Sequence, residues 1–332
     1  MNKLLEKEGV GKVIIDGKNR KILSILSRNA RTPATIIARK VGLSRDAVKY
    51  RIENLEQKGI IKGYRAIINE KSLGYDSYHI FIQLREPTKE IEQVILNKLK
   101  EHDFIRAILT FSGRFDIELA VIAKDIQKFD EIITELLSDC GDNLQEHEVF
   151  IITKYFIRKT FPGSILDETK KIDKNLNITG NDIRLDSTDE KMLRIIGNDS
   201  RISLVSLGSS IGLSADAAKY RLKNLLNHGV IQRFIPAIDY SKIGYDMYAI
   251  LFSISGLTKH AESMLLEVLR QDKHVIWAVK TIGRYNLLIY TCVKSAEDVH
   301  DTIRTLRNSF NIKTYRTLIT KKSHKYTYLP TL

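Results

Sequence analysis

Arg45, Lys49, Tyr50 and Arg51 bring guanidinium, ammonium and phenol groups into one short stretch of the chain. These groups recognise nucleic acid: a guanidinium pairs bidentately with guanine, cations meet phosphate, and a tyrosine packs on the sugar-phosphate backbone or donates its hydroxyl. The stretch predicts a helix. Ser44 is a good N-cap, and Val48, Ile52 and Leu55 recur at i, i+4 and i+7, so one face must be buried. Arg45, Asp46, Lys49 and Tyr50 then face solvent. Arg45 is the candidate for base readout. Lys49 and Arg51 suit phosphate, Tyr50 the backbone, and Ser44 mainly the cap, its amide also within reach of a phosphate. Asp46 has two readings, favouring the helix N-terminus electrostatically or accepting from a cytosine amine.

The stretch is written twice. GLSRDAVKYRIENLEQKGII from Gly42 recurs as GLSADAAKYRLKNLLNHGVI from Gly212, an offset of 170. Ser214, Lys219, Tyr220 and Arg221 repeat the candidate set, while Arg45 becomes Ala215 and Val48 becomes Ala218. The second copy keeps the phosphate-facing character and loses the base-reading group, so a weaker or different sequence preference is expected there. Each copy reads as a glycine turn, a cap and a basic amphipathic helix, the pattern of a helix-turn-helix. The offset also relates Asp16 to Asp186, Arg31 to Arg201, Gly74 to Gly244 and Gly113-Arg114 to Gly283-Arg284, and falls to 167 near the end of the unit. A repeat of this length implies two copies of one structural unit.

Each unit divides in two. Ile22, Ile25 and Leu26 stripe a first helix; Thr32 and Pro33 start a second, which Gly42 ends. Ile60 to Asn69 suits a short hairpin or wing, and Pro236 limits its second copy to an edge. The period then changes. Tyr78, Ile80, Ile82 and Leu84 alternate as in a half-buried strand; a helix follows from Pro87, two strands flank Ser112-Gly113-Arg114, and a helix and a last strand close the unit. The order β-α-β-β-α-β is ferredoxin-like. The fold class expected is α+β, two copies of a winged helix-turn-helix followed by a ferredoxin-like domain. The expected boundaries are 16–69 and 186–239 for the helix-turn-helix units, 74–159 and 244–328 for the ferredoxin-like ligand and dimerisation domains, and 160–185 for a linker that is flexible at least in part.

Lys and Arg number 53 against 40 Asp and Glu, a net charge of +13 that attracts polyanions. Two cysteines, which are not repeat equivalents, argue against a disulfide framework or a metal cluster. There is no apolar run of membrane-spanning length and no signal-peptide core, so a cytoplasmic protein without a membrane partner is expected. No metal, cofactor or catalytic residue is expected. The eight histidines do not pair at metal spacing, and phosphate-binding loops and nucleophile elbows are missing. Trp277, Tyr78, Tyr248 and Tyr290 read as core or sheet-face residues.

The pattern GLS..A..YR...L...G.I, a wing and then β-α-β-β-α-β resembles the Lrp/AsnC, or feast/famine, regulators. The likeness covers nearly all of both copies. It implies transcriptional regulation, double-stranded DNA as partner, dimers built through the β-sheets and often a small amino-acid effector. Gly113-Arg114-Phe115-Asp116 resembles the family's Gly-x-x-Asp effector loop, which implies effector contacts at Gly113, Arg114, Asp116, Gly283 and Arg284; Asn286 in place of Asp116 removes a charge from the second loop. From the residues alone, both glycines also fit hairpin turns of positive φ. Most members carry one unit, so two in one chain imply an intrachain pseudo-dimer or a homo-oligomer through the ferredoxin-like sheets. Two other readings stay open: an enzyme similar to the siroheme decarboxylases, which resemble fused pairs of this unit, and an architectural DNA-binding protein of low specificity. The strands IRAILTFSGRFDIELAV and VIWAVKTIGRYNLLIYT hold no histidine, which speaks against the enzyme.

Overall fold

In the computed structural model, residues 14–166 and 184–327 are described. The polar stretch Lys170 to Asn177, read as linker, lies outside the described residues. The first head comprises α1 (Gly17–Arg28), α2 (Ala34–Val41), α3 (Arg45–Gln57) and strand β1 (Ile61–Ile68). The second comprises α7 (Ser187–Asn198), α8 (Leu204–Ile211), α9 (Ala215–Asn227) and β6 (Ile231–Ile238). Gly42 ends α2 at φ +65°, where a side chain would be strained, and Ser44 accepts from the Ala47 amide at 3.1 Å to start α3. Val48, Ile52 and Leu55 are buried, as their spacing predicts.

Between the heads come β2 (Asp76–Leu84), α4 (Lys89–Glu101), β3 (Ile105–Ser112), β4 (Ile117–Ala123), α5 (Ile126–Cys140) and β5 (Leu144–Arg158). A short helix α6 (Gly163–Leu166) follows, and after the second head come β7 (Asp246–Ile254), α10 (Lys259–Gln271), β8 (Val275–Ile282), β9 (Leu287–Val293), α11 (Ala296–Ser309) and β10 (Ile312–Tyr326). The start of the expected linker is part of the core: Phe161 and Ile165 are buried, and Phe161 meets the ring of Tyr240 at 6.4 Å.

Both ferredoxin-like units form, and their sheets join in a closed barrel of order β10-β3-β4-β2-β5-β8-β9-β7. Closure leaves no sheet edge open. It also changes one expectation. Strand β2 is buried on both faces rather than one, because Ile80 and Ile82 pack under α4 and α5 while His79 and Phe81 point into the barrel against the other repeat. Eight strands leave an interior that side chains can fill. Phe81, Phe111, Phe115, Phe150 and Tyr285 fill it, with ring centroids 5.4–6.1 Å apart.

The segment expected to fold as a hairpin does not pair with itself. Single strand β1 pairs antiparallel with β6 of the other repeat, and Pro236 sits opposite Tyr64 in this two-stranded ribbon, where its missing amide is tolerated. Arg65 pairs with Ile235, its own counterpart at +170, so a pseudo-twofold axis passes through that pair.

Candidate nucleic-acid interface

The ribbon holds the two heads to each other by a reciprocal set of bonds. The Ala30 amide donates to the Phe234 carbonyl and the Ser200 amide to that of Tyr64, both at 2.9 Å. Asn69 donates to Val230 and Asp239 to Ile60, again at 2.9 Å. Arg31 reaches across to the carbonyls of Ser200 and Ile202 at 2.6 and 3.0 Å, and Arg201 lies over the Tyr64 ring at 4.5 Å. Each head is thus fastened to the strand of the other, and α3 and α9 have fixed positions about one pseudo-dyad.

On α3 the structure leaves Ser44, Arg45, Lys49 and Tyr50 exposed; on α9, Ser214, Lys219 and Tyr220. Tyr50 is 67% exposed and Tyr220 73%, so both rings are free to meet a partner. Asp46 and Asp216 occupy the acid-favouring first turn of each helix.

Arg51 and Arg221 are placed differently from the sequence expectation. Arg51 turns back to Asp16 at 2.6 Å and Asn19 at 3.0 Å, and Arg221 to Asp186 and Asp189 at 2.8 and 2.9 Å. Each arginine ties the third helix to the cap of the first. Burial alone would raise the Asp16 carboxyl, but the Asn19 amide and Arg51 outweigh it and hold it below its ordinary range. For Asp186 the Asp189 amide, then Arg221, lower it likewise.

Two basic groups escaped the sequence reading. Arg39 and Lys40 end α2 on its exposed side, and in a helix-turn-helix the helix before the recognition helix crosses the DNA backbone. The signal was there, two cations in a last turn, but it also serves the helix dipole.

The loops expected to hold an effector are tightly engaged. Asp116 accepts from the Leu84 amide at 2.8 Å, and Asn286 accepts from the Ile254 amide and donates to its carbonyl, both at 2.8 Å. A neutral amide therefore does the work of the carboxylate, which accounts for the exchange between copies. Gly113 and Gly283 have φ of +144° and +151° and lie where the two sheets meet; a Cβ would come within 2.8 Å of Leu318 in the first and of the Val149 carbonyl in the second. Arg114 donates to both Glu146 oxygens at 2.7 Å, and Arg284 to Glu148 at 3.1 Å.

The barrel also gathers a polar cluster that the sequence did not announce. His79 Nδ1 pairs with Glu118, whose other oxygen accepts from the Tyr290 hydroxyl of the second repeat. Trp277 stacks on His79 at 5.4 Å. A second group lies toward the heads, where Arg158 covers the Tyr155 ring at 3.5 Å and, with Arg106, binds the buried Glu70. Burial pushes the Tyr155 phenol up, yet Arg158 and Arg106 prevail and the net shift is downward. His79 lies on β2, outside the histidine-free strands β3–β4 and β8–β9. Among the described residues no three His, Cys, Asp or Glu side chains come together as a metal site, and no helix is long and apolar enough to cross a membrane.

Comparison with known proteins agrees with this geometry. A family model described as winged helix-turn-helix DNA-binding matches residues 15–62 and again 185–232. The transcriptional regulator LrpA of Pyrococcus horikoshii is 42% identical over 121 residues, which are 84% of that protein and 36% of this chain, less than one repeat. The regulatory protein AsnC of Haemophilus influenzae is 32% identical over 137 residues, 90% of its length and 41% of this chain. A crystal structure of the siroheme decarboxylase NirDL aligns with 96% of this chain and 94% of its own at a TM-score of 0.63 and 14% identity, a likeness of fold alone. With relatives matched over so much of their length, and a DNA-binding head in each repeat, the chain belongs to the Lrp/AsnC family of helix-turn-helix transcriptional regulators.

Proposed function

We propose that one chain binds operator DNA with both heads together, α3 and α9 lying in major grooves of two half-sites about one helical turn (~34 Å) or a multiple apart. The observation that carries this is the pair of exposed faces, Lys49-Tyr50 and Lys219-Tyr220, held by reciprocal bonds on one pseudo-dyad. A single-unit regulator needs two chains to present such a pair; here one chain suffices. Arg45 reads a base edge, Lys49 and Lys219 neutralise phosphate, Tyr50 and Tyr220 pack on the backbone, and the Ser44 and Ser214 helix starts face phosphate. Arg51 and Arg221 set the angle of these helices and add positive potential. The regulator works in the cytoplasm, where its DNA is.

Binding-site selection from random duplexes with the purified chain tests this. A recurrent motif whose complex protects two successive turns of the duplex supports it. A steep salt dependence without sequence preference would make the protein a low-specificity compactor instead. An amino-acid effector at Gly113, Arg114, Asp116, Gly283 and Arg284 is supported by family membership. Its carboxylate would compete with Glu146 for Arg114, so heat of binding from a panel of amino acids, lost in Arg114→Ala, is the measurement. The enzyme reading rests on the fold likeness to NirDL, and the aromatic filling of the barrel speaks against a large substrate there. Visible absorbance after incubation with a tetrapyrrole would revive it.

A further inference from the structure

The heads share one order of elements and are unequal in chemistry. Residues 14–60 carry eleven Lys and Arg against four Asp and Glu, a net +7; the equivalent residues 184–230 carry seven against five, a net +2. Part of the loss lies on the first helix and at the end of the third, where Lys18, Arg20, Arg28 and Lys58 become Thr188, Glu190, Asn198 and His228, and part on the face proposed to meet DNA. Arg45 becomes Ala215, and exposed Arg39 and Lys40 of α2 become exposed Ser209 and Ser210 of α8.

The packing beneath differs too. Buried Ala38 becomes Gly208 and buried Val48 becomes Ala218, so both sides of the interface between the second and third helices shrink in the second head. The chain has closed on that space: a Cβ on Gly208 would meet the Leu213 carbonyl oxygen at 2.6 Å and the Ser214 backbone at 3.0 Å. Head 1 accommodates an alanine at the same place. The turn before α9 is therefore drawn closer to α8 than the turn before α3 is to α2. A helix seated differently on its partner meets the groove differently, since interiors this dense do not yield by fractions of an ångström without cost. Lys219 and Tyr220 remain on its surface, together with Lys223 where head 1 has Glu53.

We infer that one chain is a directional DNA reader. Head 1 recognises a guanine-containing half-site through Arg45 and clamps the flanking backbone through Arg39 and Lys40. Head 2 holds the neighbouring turn of the duplex by its phosphates, with little demand on sequence. The operator is then one defined half-site beside a degenerate one, bound in a single orientation. This rests on the DNA-binding reading above. It departs from the palindrome that a dimer of identical chains imposes, since a twofold protein repeats every contact.

The test is the same selection, read for symmetry and repeated with two variants of the full chain whose altered side chains are exposed. The selected motif is expected to be non-palindromic. Arg45→Ala should lower affinity for the selected site by between about 5-fold and 150-fold while leaving random duplex nearly unchanged, the range of one bidentate base contact. Lys219→Ala should weaken selected and random duplexes alike and reduce the salt slope by about 0.9, one phosphate contact. A palindromic motif, or equal base preference in both halves, overturns the directional reading and leaves DNA binding intact. No binding to any duplex at low ionic strength overturns both.

Discussion

The two flanks of the barrel interior are related by the pseudo-dyad and share almost no chemistry. On one flank His79 and Glu118 face Tyr290 and Trp277. The positions equivalent to His79 and Glu118 hold Ala249 and Leu288, and those equivalent to Tyr290 and Trp277 hold Ala120 and Ala107. Glu70, which holds Arg106 and Arg158, has Tyr240 as its counterpart, and Arg106 has Ile276. In a dimer of identical chains each buried charge would occur twice. Covalent duplication removes that requirement, and here one flank is a polar network and the other is apolar. The heads diverged under the same freedom. The lesson is that symmetry survives in backbone bonding, where both halves need it, and lapses in side chains, where they do not.

The comparison breaks most readily at Glu70. Its carboxylate is 2% exposed and lies between two arginines that are 12% and 7% exposed. Glu70→Ala leaves both cations buried without an anion, and urea unfolding should show a loss of about 3–5 kcal/mol. A loss under 1 kcal/mol would mean that the polar flank is no more demanding than the apolar one. The seams offer a second contrast. At Gly283 a Cβ would strike the Phe150 ring at 2.7 Å and also backbone, the Val149 carbonyl at 2.8 Å, whereas at Gly113 the only atom so close is the end of the Leu318 side chain. Gly283→Ala should cost about 2–3 kcal/mol and Gly113→Ala about 1 kcal/mol less, since both have positive φ and only one neighbour can move. Equal values would place the whole cost in the backbone conformation.

These residues also mark what could be read beforehand. The helices and strands were legible because local periodicity fixes them: Val48-Ile52-Leu55 and Tyr78-Ile80-Ile82 announce their elements and their inward faces. The partner of β1 was not, because the pairing of Arg65 with Ile235 spans 170 residues and no local pattern encodes it. His79 looked like the polar member of an alternating strand, and only the second sheet makes its face an interior. The ion pairs of Arg51 and Arg221 were not legible either, because a basic residue on a basic helix carries no mark of its acidic partner 35 positions away.

Tyr290→Phe sharpens the barrel contrast with a smaller change. It removes one hydroxyl and leaves a Glu118 oxygen without its donor, and chemical denaturation should register about 1–2 kcal/mol. Trp277 still packs on the ring with centroids 5.5 Å apart, so the loss reports on the hydrogen bond rather than on the shape. If Phe is neutral there, Glu118 is satisfied by His79 alone and the network does not extend between repeats.

The smallest effect concerns Lys159, at the end of β5, whose counterpart near the end of β10 is Tyr326. Its ammonium donates to the Asp272 carbonyl at 3.0 Å, and burial, only partly opposed by Asp272, brings its pKa down to about 8. An unfolded lysine titrates near ~10.4. Below pH 8 both states hold the proton and folding bears the full cost of burying the charge. Between pH 8 and about 10.4 the unfolded chain binds more protons than the folded one, so this group makes stability rise with pH through that window. Lys159→Met should remove that rise, seen as a flatter dependence of urea midpoint on pH. An unchanged profile would mean that Lys159 keeps its charge by reaching water, and that this end of the barrel is as open as the Tyr326 end.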